Sequence, residues 1–417
     1  MNILVVSQYF WPENFRINDL VREWITQGHQ VTVLTGRPNY PAGQVFPDFL
    51  RDPASFAFFE GASVHRVPMF ARGRGSLRLV LNYLSFVIGA CLVGPRKLRG
   101  LSPDVIFVFE VSPVTVGLPA VLLGRLKRCP VVFWVLDLWP ETLAAIGVVR
   151  HPRVLAAVGY LVRFIYNRCT LVLGQSRSFL QSIAYHCDNP DKVRYFPSWA
   201  EDVFQNQADA PASEIPTAPG TLNILFAGNV GDAQDFPAIL DAAERLKHRR
   251  DIRWLIVGSG RRSAWVEEQV KARGLSERIL LLGQFPVERM PSFYAQADAL
   301  LVSLKKDPTF SMTIPGKVQS YLAAGRPIVG MLDGEGADVI RRAEAGLVCQ
   351  AGDGAALAAT IERFAELTLA ERQRMGVSGQ AYAHAEFDRE TLMTRLLHLF
   401  GEARCLYQEQ NRGKTSR

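Results

Sequence analysis

The sequence predicts two doubly wound α/β domains in tandem, and three observations carry that prediction. The chain of 417 residues is too long for one ordinary core and suits two, each of roughly 200 residues. Apolar runs rich in Val, Ile, Leu and Phe alternate with helical patterns along most of its length, as βα units with parallel strands require. The opening Met1-Asn2-Ile3-Leu4-Val5 is echoed at Leu222-Asn223-Ile224-Leu225-Phe226, so the same architecture starts again halfway.

In the first domain, residues 1–204, strands are predicted at 3–7, 31–35, 64–68, 105–109, 131–137, 171–174 and 193–196, with helices between them. Residues 205–220 are rich in Pro, Ala and Ser, lack an apolar period and read as a linker. The second domain, 221–385, repeats the pattern with strands at 222–226, 254–257, 279–282, 299–303, 328–331 and 347–349. Residues 386–417 read as a C-terminal helix with a frayed polar tail. Two such domains facing each other would put the carboxyl ends of both sheets on a central cleft, where open α/β sheets bind ligands.

With 48% hydrophobic and 21% charged residues, the chain is neither disordered nor a polytopic membrane protein. Its six cysteines are scattered singly, without metal-ligand spacing, and read as free thiols. The start has no secretory signal pattern, so a cytoplasmic location is expected.

The net charge of +7 is unevenly placed: residues 1–204 hold 21 Lys and Arg against 14 Asp and Glu. No acidic residue lies between Glu60 and Asp104, where Arg66, Arg72, Arg74, Arg78, Arg96, Lys97 and Arg99 occur. These cations bracket an apolar run at 79–94, about 16 residues and short of the roughly 20 that span a bilayer. The combination suits an in-plane helix on an anionic lipid surface better than nucleic acid. An ordinary core helix with solvated basic ends is the alternative.

Several residues carry candidate chemistry. Arg16 opens a helix after the first strand and reads either as a phosphate ligand or as a surface cation. In the second domain, Gly228, Asn229, Gly231 and Gln234 form the first strand-to-helix turn, where glycines admit close ligand approach. Gly258 lies in a second Gly-rich turn that serves either a ligand or the chain's own reversal. The densest constellation is 303–325: Lys305 and Lys306, then Ser311 and Thr313, then Lys317 just inside a helix start behind Pro315. Cations, hydroxyls and helix-terminal amides are what a diphosphate requires, although Lys305 and Lys306 also read as ordinary loop lysines. At strand ends of the first domain, Glu110 and Asp137 could accept a proton from an acceptor hydroxyl; helix capping is the competing role for Asp137.

The order YFWPE, GHQVTVLTG at 28–36, AGNVG, VGSG and AAGRPIVG at 323–330 resembles the family 4 retaining glycosyltransferases over nearly the whole chain. Within that family it is similar to bacterial enzymes of O-antigen, capsule and exopolysaccharide synthesis, including N-acetyl-L-fucosamine transferases and colanic-acid type transferases. The resemblance implies a GT-B fold and a nucleotide-sugar donor, UDP-linked, held mainly by the C-terminal domain. It implies no obligatory metal and no other cofactor. With the basic block, it implies a lipid-linked saccharide acceptor and a peripheral position at the inner membrane face. Two departures stand out. The family's glutamate pair, eight residues apart, falls here on Met312 and Ser320, and its phosphate-gripping Arg and Lys fall on Asn229 and Gln234. Donor binding is therefore expected to lean on Lys305, Lys306 and Lys317, with Ser311, Thr313 and Ser320 nearby. A nucleotide-sugar epimerase and a catalytically silent binding protein are the rival readings.

Overall fold

A computed structural model of the chain describes residues 1–417 apart from 74, 146–148, 150, 205–209, 416 and 417. It forms two compact units, Met1–Phe196 with Met393–Arg417, and Pro197–Leu392. The first runs β1 (Asn2–Val6), α1 (Arg16–Thr26), β2 (Gln30–Thr35), α2 (Pro47–Arg51), β3 (Phe58–Phe59), β4 (Ala62–Arg66), α3 (Ser76–Leu92), α4 (Gly94–Lys97), β5 (Val105–Glu110), α5 (Gly117–Lys127), β6 (Val131–Val135), α6 (Glu141–Ala145), α7 (Pro152–Arg168), β7 (Leu171–Gly174), α8 (Arg177–Tyr185) and β8 (Val193–Tyr195). The second runs β9 (Leu222–Ala227), α9 (Phe236–Arg245), β10 (Ile252–Val257), α10 (Ser263–Ala272), β11 (Ile279–Gly283), α11 (Met290–Tyr294), β12 (Ala299–Ser303), α12 (Pro308–Met312), α13 (Gly316–Ala323), β13 (Ile328–Met331), α14 (Gly334–Arg342), β14 (Gly346–Cys349), α15 (Gly354–Glu366) and α16 (Leu369–Phe387). The last helix, α17 (Arg389–Thr415), starts in the second unit and continues in the first.

The sheets order as β3-β4-β2-β1-β5-β6-β7-β8 and β11-β10-β9-β12-β13-β14. Every pairing is parallel except β3 with β4. Central strands such as β5 and β6 are buried throughout, because helices cover both faces of a parallel sheet. In each sheet the order reverses beside the first strand: β1 pairs with β2 and β5, and β9 with β10 and β12. Such switch points open a crevice at the strands' carboxyl ends.

The expected strands are all present, with ends shifted by up to two residues. The strand expected at 131–137 stops at Val135 because Leu136 and Asp137 turn their N–H groups toward Glu110. The two-residue β3 is too short to show a period. Of the stretch read as a linker, residues 205–209 lie outside the described residues. Most of 210–220 is exposed, but it is anchored: Ala212 and Ile215 are buried in the second unit's core, and Glu214 pairs with Arg289 at 2.9 Å. The C-terminal helix is no loose appendage either. Phe400 packs on Trp24 and Phe107 at centroid distances of 5.6 and 5.5 Å, and Arg404 pairs with Asp104.

The basic block splits in two. Arg66 turns inward, donating to the carbonyls of Gly36 and Trp11, and Arg72 lies over the Tyr40 ring at 5.4 Å. Neither therefore belongs to an outward-facing surface. Arg78, Arg96, Lys97 and Arg99 are exposed, and Arg74 lies outside the described residues. The apolar run forms α3, and no helix among the described residues is long and apolar enough to cross a membrane.

Candidate active site

In the second unit the switch point lies between β9 and β12, and Lys317 reaches into it. Lys317 is the second residue of α13, which is locked to the end of β9: the buried Tyr321 hydroxyl accepts from the Ala227 N–H at 3.1 Å. From there the Lys317 ammonium lies 3.4 Å from the centroid of the Phe226 ring. Its stem passes so close to Gly228 that a Cβ at that glycine would lie 2.7 Å from Lys317 Cε. Gly228 also has φ of 130°, so glycine is required twice over.

The ammonium is buried and has no hydrogen-bond partner, and burial brings its pKa down to about 7. An uncompensated ammonium in a packed site is costly, and the ring face offsets only part of that cost. Gln234 Oε1, in the same turn, is likewise buried without a partner. The turn is stitched to β12: Ser303 Oγ donates to the Gln234 carbonyl at 2.7 Å, and Lys305 N–H donates to the Ala233 carbonyl at 2.9 Å. Lys305 and Lys306 thus stand beside the turn, exposed and without an ion pair among the described residues.

Asn229 is exposed at the same turn, its amide against Gly231. A Cβ at Gly316, the first residue of α13, would meet nothing within 4 Å, so that helix start opens to space. The hydroxyls point home: Ser311 donates to Pro308, Thr313 to Phe310 and Ser320 to Gly316, each through the backbone carbonyl. Gly258 serves the chain itself, since a Cβ there would lie 1.9 Å from the Gly228 carbonyl oxygen.

In the first unit the switch point lies between β1 and β5. Glu110, the last residue of β5, is fully buried. Its carboxylate accepts from the N–H groups of Ser112 (3.1 Å), Leu136 (3.2 Å) and Asp137 (3.1 Å). Burial, then the Asp137 charge, raises its pKa well above the ordinary value, the three N–H groups opposing. Asp137 is half-buried and held by side chains: Ser112 Oγ at 2.7 Å and Trp139 Nε1 at 3.3 Å on one oxygen, Thr142 Oγ1 at 2.6 Å on the other. Ser112 sits at φ of 93°, a conformation costly for a residue other than glycine.

Sequence reasoning missed the partners that α3 supplies. Tyr83, half-buried, lies beside Ser112 and near Asp137, and burial raises its hydroxyl pKa. Asn82, fully buried, accepts from Gln8 Nε2 at 2.7 Å and the Tyr9 hydroxyl at 3.2 Å. The signal was there: Asn82 and Tyr83 are a polar pair inside an otherwise apolar run. Glu13 was also passed over. It is buried and accepts from the N–H groups of Asn39 and Tyr40, both at 2.7 Å, tying the β1 turn to the β2 turn. Arg16 is the first residue of α1, beyond that turn.

Residues 14–199 match the glycosyl transferase 4-like domain, and residues 221–366 match the glycosyl transferases group 1 domain. The chain is 25% identical over 423 residues to the putative colanic acid biosynthesis glycosyl transferase WcaI of Escherichia coli K12, covering 95% of this chain and 99% of that one. It is 23% identical to the 2-deoxystreptamine N-acetyl-D-glucosaminyltransferase of Streptomyces fradiae, covering 91% of each. Among solved structures, Anabaena HepE in complex with UDP superposes with a TM-score of 0.68 at 15% identity, over 96% of this chain and 100% of that one. WaaG, a glycosyltransferase involved in lipopolysaccharide biosynthesis, superposes at 0.60 and 14%, over 95% and 98%. At these identities the superpositions speak for the fold, which is GT-B.

Proposed function

We propose, on the premise that this chain belongs to the glycosyltransferases built from a 4-like and a group 1 domain, that its donor is a UDP-linked sugar. The sugar passes with retention to a saccharide on a polyprenyl diphosphate, in the synthesis of a bacterial surface polysaccharide such as O-antigen or capsule. The similarity to a colanic acid transferase supports that pathway class. The enzyme works at the cytoplasmic face of the membrane, resting on α3, whose Leu77, Leu81, Leu84, Ile88 and Leu92 are exposed along one side.

The observation that carries the donor reading is the unpartnered ammonium of Lys317 at the switch point of the second sheet. A diphosphate supplies the charge that this ammonium lacks. As the bond between the anomeric carbon and the phosphate oxygen breaks, the electron pair stays on that oxygen, and a preorganised cation stabilises it. Lys317 thereby takes the place of the first-turn cations replaced by Asn229 and Gln234, with Lys305 and Lys306 contributing from the adjoining loop. Asp137 takes the proton of the acceptor hydroxyl. Glu110 is a positioning residue, holding the backbone that carries Ser112 and Asp137. No metal is required, because fixed cations do this work.

The test is incubation of the purified protein with UDP-sugars and a polyprenyl-diphosphate saccharide, following UDP release. Turnover should survive EDTA. Activity lost on chelation and restored by magnesium or manganese would overturn the metal-independent mechanism. An epimerised nucleotide sugar formed without acceptor would replace the transfer reading altogether.

A further inference from the structure

The exposed apolar side of α3 continues across two more helices. α3 packs beside α5, and α5 beside α7. On α5 Leu126, and on α7 Val154, Tyr160 and Phe164, are exposed as well. None of the three helices contains an Asp or Glu, whereas Arg78, Arg125, Arg153, Arg163 and Arg168 are distributed over them, Lys127 being tied to the Leu98 and Leu101 carbonyls. Of these cations only Arg163 has a carboxylate partner among the described residues, Asp188. A solvated helical face ordinarily mixes both charges; this one is apolar and positive over three helices.

A valley of about 900 Å³ lies along α5 between α3 and α7 and is bordered as well by Lys192 and by Tyr407, Gln410 and Asn411 of α17, within the range of roughly 300–1,000 Å³ of ligand sites. Val121 and Leu122 of α5 line the floor, Val87 and Phe164 the two walls, and Arg125 and Arg168 also border it. The Arg168 guanidinium stacks 3.7 Å from the centroid of the Phe164 ring, joining cation to apolar wall. The valley lies at the amino ends of the strands, since Val131 begins β6 and Thr170 precedes β7, and both border it. Glu110 closes β5 and Asp137 follows β6, both at the opposite ends of those strands, so this is not the acceptor's reactive end.

We infer that the valley holds one acyl chain of an anionic phospholipid of the bilayer, with its phosphate against Arg125 and Arg168. The occupant follows from charge complementarity, the apolar floor and continuity with the exposed side of α3. The inference rests on the membrane reading of α3 given above and adds a lipid-chain site to it.

Photo-crosslinking tests it. The full chain is bound to phosphatidylcholine vesicles containing phosphatidylglycerol with a diazirine on one acyl chain, irradiated, and the adducts are mapped by mass spectrometry. Adducts are expected on residues 118–125 and on Phe164, as well as on the outer side of α3. Leu122→Trp, which fills the floor, and the surface pair Arg125→Gln with Arg168→Gln should each reduce the α5 adducts at least fivefold while α3 adducts persist. Adducts confined to α3 would overturn the valley and leave the docking of α3 standing. Equal α5 labelling from a diazirine phosphatidylcholine would overturn the headgroup assignment. Absence of adducts anywhere, with sugar transfer intact in the same sample, would overturn the membrane reading and the site with it.

Discussion

In the first unit the turn after β5 is closed by its own hydrogen bonds: all four carboxylate oxygens of Glu110 and Asp137 are engaged by neighbouring N–H and O–H groups. In the second unit the switch point beside the turn after β9 holds Lys317 Nζ and Gln234 Oε1, both buried and both without a partner. The two sheets share a topology, so the difference lies in the side chains placed at the switch points. A satisfied network fixes the position of a group that must be in place before the substrate arrives. An unsatisfied cation stores the cost of its burial until a ligand supplies the counter-charge.

That comparison breaks first at Lys317. If its ammonium stabilises the departing diphosphate, Lys317→Ala should lower kcat by roughly 10² to 10³, the scale seen when one preorganised charge-stabilising donor is removed, and should weaken donor binding too. Lys317→Arg should recover only part, because a planar guanidinium does not replace a compact ammonium threaded past Gly228. Steady-state kinetics with donor titration measures both. Wild-type kcat and donor affinity in the alanine variant would make Lys317 a packing residue and end the contrast.

On the satisfied side, Asp137→Asn should lower the rate of transfer by about 10², within the scale of general-base removal. Donor affinity and slow donor hydrolysis should stay unchanged, since Asp137 belongs to the other unit's turn. Comparing transfer with hydrolysis in the same variant separates the two turns. Equal losses in both reactions would show that Asp137 acts through the fold and not on the acceptor.

The contrast itself was only half legible in the sequence. Strand positions were readable because short runs of Val, Ile and Phe, repeated between longer helical patterns, fit the buried strands of a parallel sheet. Lys317 was found from its place behind Pro315, yet its burial depends on Tyr321 fixing α13 to Ala227, a contact 94 residues apart in the chain. Glu110 read as a base because strand-end carboxylates often are; its three backbone donors come from a turn that no spacing rule reveals. Arg66 and Arg72 read as surface cations because charge runs usually are solvated. They turn inward because the β1 and β2 turns offer carbonyls and the Tyr40 ring.

The stored cost of Lys317 should be measurable without substrate. Lys317→Met keeps the shape and removes the charge, so the ligand-free variant should be more stable by up to about 5 kcal/mol, the equivalent of a pKa lowered from 10.5 to about 7 at roughly 1.4 kcal/mol per unit. The pH dependence fixes the sign. The folded-state pKa is about 7, below the ordinary 10.5. Between those values the unfolded chain binds a proton that the folded chain lacks, so wild-type stability rises with pH there. The advantage of the methionine variant should therefore be full below pH 7 and close as pH approaches 10. A constant gap across urea titrations at pH 6 and 9.5 would show that the ammonium is not the cause.

The smallest expected effect falls on Tyr83, which joins the docking helix to the satisfied turn. The Ser112 hydroxyl spends its proton on Asp137 and accepts from the Trp139 N–H, which leaves one lone pair open to a donor such as the neighbouring Tyr83 hydroxyl. Tyr83→Phe deletes one of those donors and keeps the ring. Asp137 itself retains its three direct contacts, so only the orientation of Ser112 loosens. One neutral hydrogen bond contributes about 1 kcal/mol, which converts to roughly a fivefold change. The variant should therefore lose about that factor in kcat for transfer while donor affinity and thermal stability stay near wild type. Because Tyr83 shares α3 with the exposed Leu81 and Leu84, the assay belongs both in detergent and on anionic vesicles. A rate ratio that differs between the two would show that the bilayer reaches Asp137 through this helix, and an unchanged kcat in both would leave Ser112 held by its backbone alone.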